Sequence, residues 1–234
     1  MISKIPVFIR ANHFLYFAAY CLLFTVLFSC AGSRHDVRPG YQNKVTGVAS
    51  WYGPKFHGRP TSSGEIFNMH AMTCAHKEYP FGTRLKVTNT ENNRSAECIV
   101  NDRGPFVEDR DIDLSYAVAR EIGITGPGIA RVLLEPHGRD DSYIRPVKFR
   151  ITAKTGPFAV QVGSFTENIN AIRLKTGLRL KYTNVYIQEA EVKGTTYYRV
   201  RVGNYQDYNS VLSVAEQLGQ EGYQTLLLKA DVKI

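Results

Sequence analysis

Turn signals break residues 47–136 into pieces too short for long helices: Gly53-Pro54, Gly58-Arg59-Pro60, Ser63-Gly64, Asn92-Asn93 and Asp102-Arg103-Gly104-Pro105. Glycine reaches backbone conformations that other residues avoid, and proline lacks the amide proton that helices and central strands need. The pieces between these signals read as strands. In Thr83–Thr88, Leu85 and Val87 fall on one face and Arg84 and Lys86 on the other, the two-residue period of a half-buried strand. Val45–Tyr52 starts a strand, Ser95–Val100 returns as a hairpin partner across Asn92-Asn93, and Ala130–Leu134 is apolar enough to be buried. One helix fits, Ser115–Ile122, with Ser115 as N-cap and Gly123 as its stop. Many short strands around one short helix predict a small closed barrel.

The style changes after residue 156. Phe158–Phe165, Val185–Ala190, Thr195–Val202 and Thr225–Leu228 read as strands, and Thr166–Lys181 and Tyr208–Leu218 as helices, in the order βαββαβ. FAVQVGSFTEN and YYRVRVGNYQDY are alike, each a strand followed by Gly, a polar residue, an aromatic and a helix start. This internal repeat predicts a ferredoxin-like sandwich of four strands and two helices. Residues 137–156, polar and basic, with Pro146 and Gly156, read as the linker between the barrel at 47–136 and the module at 157–234. The expected fold class is mainly β followed by α+β.

The N-terminus reads as a targeting segment. Lys4 and Arg10 precede an apolar run, Phe14–Phe28, that is short for a membrane span. Leu27-Phe28-Ser29-Cys30 is similar to a lipobox, though Phe28 is bulkier than that pattern prefers. Residues 1–29 are therefore expected to be a signal peptide, Cys30 the lipidated residue, and residues 30–46 a tether. Ala31 in place of Asp points to the outer membrane. The net charge of +8 is not a folded patch: residues 47–136 carry ten basic and eleven acidic side chains, and the excess lies mostly in tether and linker. That distribution argues against a nucleic-acid partner. Cys74 and Cys98 either pair in an oxidising compartment or are two small buried residues, the second being preferred. They show no metal-ligand spacing, and neither metal nor cofactor is expected.

The segments GVASWYGPKFHGRPTSSGEIFNM (47–69), TCAHKEYPFGTRLKVTN (73–89), NDRGPFV (101–107) and RDIDLS (110–115) resemble the double-psi β-barrel of the rare lipoprotein A family. FAVQVGSF and YYRVRVGNY resemble the signature strands of a SPOR domain. Cys74 and Cys98 depart from the family, standing where small or aliphatic residues are usual. The resemblance implies an endolytic lytic transglycosylase acting on peptide-free glycan strands at the division septum. It further implies a six-stranded barrel for the chemistry and a SPOR module that binds glycan. It leaves division-site proteins as partners. The alternative is a non-catalytic, peptidoglycan-binding lipoprotein with an expansin-like barrel.

Cleaving a glycosidic bond requires an acid at the leaving oxygen and stabilisation of an oxocarbenium-like centre. The candidates are Asp102, Glu65, Asp113 and His76. The resemblance puts Glu65, His76 and Asp102 in the cleft, and the wider barrel superfamily uses the Asp of DLS, here Asp113. A carboxylate near a helix N-terminus is favoured as the anion, unless burial outweighs it, so Asp102 is the preferred acid, Glu65 its partner, and Asp113 the competitor. Trp51, Tyr52, Phe56 and Phe106 are candidate sugar-stacking residues, with His57 and Arg103 as polar contacts. Trp51 and Tyr52 are adjacent on a strand, so at most one lines the cleft. In the module, Gln161, Ser164, Arg199 and Arg201 are candidate glycan contacts, the two arginines expected on an exposed face.

Overall fold

The computed structural model describes residues 44–151 and 155–230. The signal segment, Cys30 and most of the tether lie outside the described residues. The first sheet is a closed barrel of six strands: β1 (Val45–Trp51), β2 (Thr73–His76), β3 (Thr83–Asn89), β4 (Ser95–Asp102), β5 (Ile112–Leu114) and β6 (Ile129–Arg139). Their order around the barrel is β1-β5-β2-β4-β3-β6. Most neighbours are antiparallel, but β1–β5 and β2–β4 run parallel. These two parallel pairs make the connections cross, as a double-psi barrel requires.

Alternation works as expected on β3: Leu85 and Val87 are buried while Arg84 and Lys86 are exposed. Ala49, Val100, Ile112, Leu114 and Val132 complete the barrel interior. Helix α1 (Tyr116–Glu121) is capped by Ser115, whose Oγ accepts from the Val118 amide at 3.3 Å. The preferred reading of the cysteines is corrected: Cys74 on β2 and Cys98 on β4 form a disulfide, their Cα atoms 5.9 Å apart. It crosslinks the parallel pair just below the strand ends that carry the polar residues.

The second sheet contains β8 (Phe158–Phe165), β9 (Val185–Val192), β10 (Thr195–Tyr205) and β11 (Thr225–Lys229), with α2 (Asn168–Arg179) and α3 (Tyr208–Gln220). The order β11-β8-β10-β9 is that of a ferredoxin-like sandwich. Val160, Val200, Val202 and Leu227 meet Leu174, Leu178, Val211 and Leu218 in its core. Residues 137–156 do more than connect. β6 runs on to Arg139, a 3-10 turn forms at Asp141–Tyr143, and β7 (Val147–Arg150) pairs in parallel with β11 as a fifth strand.

Barrel and module pack on each other. Phe81 of the barrel donates its amide to the carbonyl of Glu221 at 3.0 Å, and its ring meets Tyr223 edge-on at 4.9 Å. Gly222 permits this approach: its φ is +95°, and a Cβ there would lie 2.9 Å from that of Phe81.

Candidate active site

Hydrogen-bond register assembles the site. Ser50 on β1 pairs with Asp113 on β5, Asp113 with Ala75 on β2, and Ala75 with Asp102 on β4. Residues in register point to the same side of a sheet, so the two aspartates flank Ala75 in one row. The row depends on a one-residue bulge. Cys74 pairs with Val100 but Ala75 pairs with Asp102, which makes Asn101 the extra residue. Without that insertion Asn101 would occupy the row and Asp102 would turn away from it.

The two carboxylates have different surroundings. Asp102 accepts from the amides of Ser62 and Arg103, both at 2.8 Å, and from the Tyr52 hydroxyl at 3.2 Å. Asp113 is 8% exposed, accepts from the Ser50 hydroxyl and lies 3.8 Å from the Arg110 guanidinium. Burial raises its pKa above the ordinary carboxylate value; Ser50 and Arg110 oppose this, and the charge of Asp102 adds to it. The expectation that a helix terminus would hold Asp113 as the anion is therefore corrected. Ser115, not Asp113, caps α1, and burial is the largest influence on Asp113.

Glu65 is half-buried in the turn after Ser63-Gly64. Its Oε2 accepts from Asn101 Nδ2 at 2.7 Å, and the Tyr143 hydroxyl also bonds to it. The bulged Asn101 thus ties Glu65 to the end of β4. His76 ends β2, one residue past the row. Burial, then the Arg103 charge, lowers its pKa to about 4, so the ring is neutral at physiological pH. Its Nδ1 accepts from the amides of Glu78 and Tyr79, both at 3.1 Å, which leaves the proton on Nε2.

The aromatic candidates divide as strand geometry requires. Tyr52 touches Asp102 and stacks with Phe56 at 5.5 Å and Phe67 at 5.0 Å. Trp51 turns the other way, against Tyr116 at 5.7 Å. His57 is exposed and accepts from the Met69 amide at 3.2 Å, and Phe106 is partly exposed beside the turn. Arg103 is corrected from a substrate contact to an interface residue. It is 3% exposed, lies 3.8 Å above the Phe81 ring, and donates from Nε to the Tyr223 hydroxyl and from Nη1 to the Tyr79 carbonyl at 3.0 Å.

In the module, a second bulge gathers the four candidates. Arg199 pairs with Ser164 and Arg201 with Gln161, so Val162 is the extra residue of β8 and all four side chains share a face. Ser164 is exposed and Gln161 and Arg199 are half-buried, but Arg201 is 4% exposed and is not an open contact. Sequence reading also missed Asn101, Tyr143, Ser62 and Arg110. Asn101 had a signal, its place in NDRGP; Tyr143 had none, since its segment looked like linker. Among the described residues, no group of three or more His, Cys, Asp or Glu side chains could hold a metal ion.

Residues 44–134 match the family model described as lytic transglycolase, and residues 154–229 match the SPOR domain. With the closed barrel and its row of carboxylates, these matches define a double-psi β-barrel protein carrying a SPOR module. An endolytic peptidoglycan transglycosylase RlpA from Vibrio cholerae is 38% identical over 188 residues, covering 79% of this chain and 68% of that protein. A protein of the same name from Helicobacter pylori is 40% identical over 166 residues, 63% of this chain and 53% of that one. The chain belongs to the rare lipoprotein A family. It spans about half the length of the Helicobacter relatives it matches. Among solved structures, an expansin from Clavibacter michiganensis aligns over 70% of this chain and 81% of that one at 14% identity, with a TM-score of 0.34, too loose a likeness to bear on function.

Proposed function

We propose that this protein is an endolytic peptidoglycan transglycosylase that cleaves the MurNAc–GlcNAc bond of peptide-free glycan strands and leaves 1,6-anhydro-muramoyl ends. The observation that carries this reading is the row of Asp113 and Asp102 on either side of Ala75. Asp113, whose pKa burial raises, protonates the glycosidic oxygen as that bond breaks and the GlcNAc hydroxyl leaves. Asp102 presents its carboxylate to the positive charge that develops at C1 of MurNAc. The C6 hydroxyl of the same sugar then attacks C1, and its proton returns to Asp113. No water is consumed, so one buried acid serves both steps. The assignment reverses the order of preference that sequence alone suggested. Glu65, held by Asn101 and Tyr143, shapes the cleft wall beside Asp102, and the neutral His76 offers an Nε2–H donor. The relatives' names support the activity, and the SPOR match supports binding of glycan by the module and action at the septum. The lipobox-like stretch ending at Cys30 supports a lipid anchor in the outer membrane.

Incubation with purified peptide-free glycan strands, followed by mass analysis, tests the reaction. Anhydro-muramoyl ends are expected. Hydrated reducing ends would make the protein a hydrolase, and binding without product would make it a non-catalytic peptidoglycan-binding lipoprotein.

A further inference from the structure

Helix α2 belongs to the module, yet it reaches the barrel's cleft. Asn170, Arg173 and Gly177 recur at three- and four-residue spacing and so share one side of it. Gly177 packs on the Arg103 side chain, where a Cβ would meet three Arg103 carbons at 3.4 Å. One turn earlier, the Arg173 guanidinium lies 5.2 Å from the centre of the Phe56 ring. Phe56 stacks on Tyr52, and Tyr52 bonds to Asp102. Arg173 is close enough to this group for its charge to act on the Tyr52 phenol. Stacking uses the face of a guanidinium and leaves its in-plane N–H donors free for a planar anion. Arg173 forms no hydrogen bond or ion pair with the described residues. A half-buried cation packed on the ring that covers Tyr52, with no ion-pair partner among the described residues, is set to receive an anion from outside.

The glycan supplies such an anion. Each MurNAc carries a lactyl ether. When the stem peptide is present that group ends in an amide, which is neutral; when the peptide has been removed it ends in a carboxylate. We propose that Arg173 binds the free lactyl carboxylate of a MurNAc unit in the cleft, so that the module's helix confers the barrel's selectivity for peptide-free strands. This rests on the reading of the chain as a glycan-cleaving enzyme. Selectivity then has two sources: capture of a strand by the module, and acceptance of that strand at the cleft.

The test uses the full-length protein and two pools of the same strands, one with free lactyl carboxylates and one with those carboxylates converted to methylamides. The wild type should favour the free acid in kcat/KM. In Arg173→Gln this preference should fall by about tenfold or more, the scale of one charge-assisted contact. Arg173→Lys, which keeps the charge without the planar fork, should restore part of it. An unchanged preference in Arg173→Gln would overturn the proposal, and so would faster cleavage of both pools, which would make Arg173 a plug. Equilibrium binding of both pools is measured in parallel. If the wild type cleaves neither, the enzymatic reading fails. Arg173 still stands as a carboxylate-binding residue if Arg173→Gln loses affinity for free-acid strands alone, and falls if it does not.

Discussion

The barrel and the C-terminal sheet use the same device to opposite ends. Each carries one extra residue in a strand, Asn101 in β4 and Val162 in β8, and each bulge re-aims polar side chains onto a common row. In the barrel the extra residue is polar and holds Glu65. The row it creates is acidic and enclosed, so desolvation acts on Asp113 and also on the neighbouring His76. In the sheet the extra residue is apolar and is absorbed by the core. The row it creates pairs arginines with Gln161 and Ser164. A row proposed for proton transfer gains from leaving water, because burial separates the properties of chemically identical groups. In the sheet row burial is uneven: Ser164 is exposed and Gln161 and Arg199 are half-buried, while Arg201 is 4% exposed.

Substitution of Asp113 should separate the two regions most sharply. Asp113→Asn is expected to lower glycan cleavage at least about a hundredfold, while glycan binding through the module changes little. Because the amide is neutral and close to the carboxylic acid in shape, the variant should fold and should unfold much as the wild type does at pH 7. A folded, active Asp113→Asn would return the acid to Asp102. Asp102→Asn should also be impaired. Since the charge of Asp102 helps to raise the pKa of Asp113, the alkaline limb of its residual pH–rate profile should move to lower pH.

The second expectation concerns acid stability. Unfolded, His76 takes up a proton near 6.5; folded, it does so only near 4. Between those values the unfolded chain binds more protons, so the contribution is present above pH 6.5 and lost as pH falls towards 4. The loss is at most about 3.5 kcal/mol, since one pKa unit is worth about 1.4 kcal/mol. His76→Gln should flatten the dependence of the barrel's unfolding free energy on pH in this window. An unchanged slope would remove His76 as its cause.

The smallest effect belongs to the seam. Tyr223→Phe keeps the ring against Phe81 but removes the acceptor of Arg103 Nε, and should cost about 1–3 kcal/mol in urea unfolding. Two separate transitions in the wild type would mean that barrel and module do not share stability through this contact.

Local patterns carried most of the fold. The strand Phe158–Phe165 and the start of α3 at Tyr208 stand where alternation and the internal repeat put them. What sequence did not show depends on register and on partners distant in the chain. Asp102 and Asp113 could be ranked only by local rules, since their common row follows from a bulge that has no composition signal. Arg103 looked like a ligand contact because its motif is rich in site residues; its partner Tyr223 lies 120 residues away. β7 went unseen because Val147–Arg150 is mostly exposed and charged, as an edge strand can be.

Asp102 and Arg103 are adjacent in the chain, and one stands in the proposed catalytic row while the other is buried against the module. The module is therefore not a cassette to be exchanged at will. A transplanted domain of the same fold would have to bring a phenol for the guanidinium and a bare helix surface where Gly177 now sits. Without both, the disturbance would begin one peptide bond from Asp102, the carboxylate proposed to face the sugar.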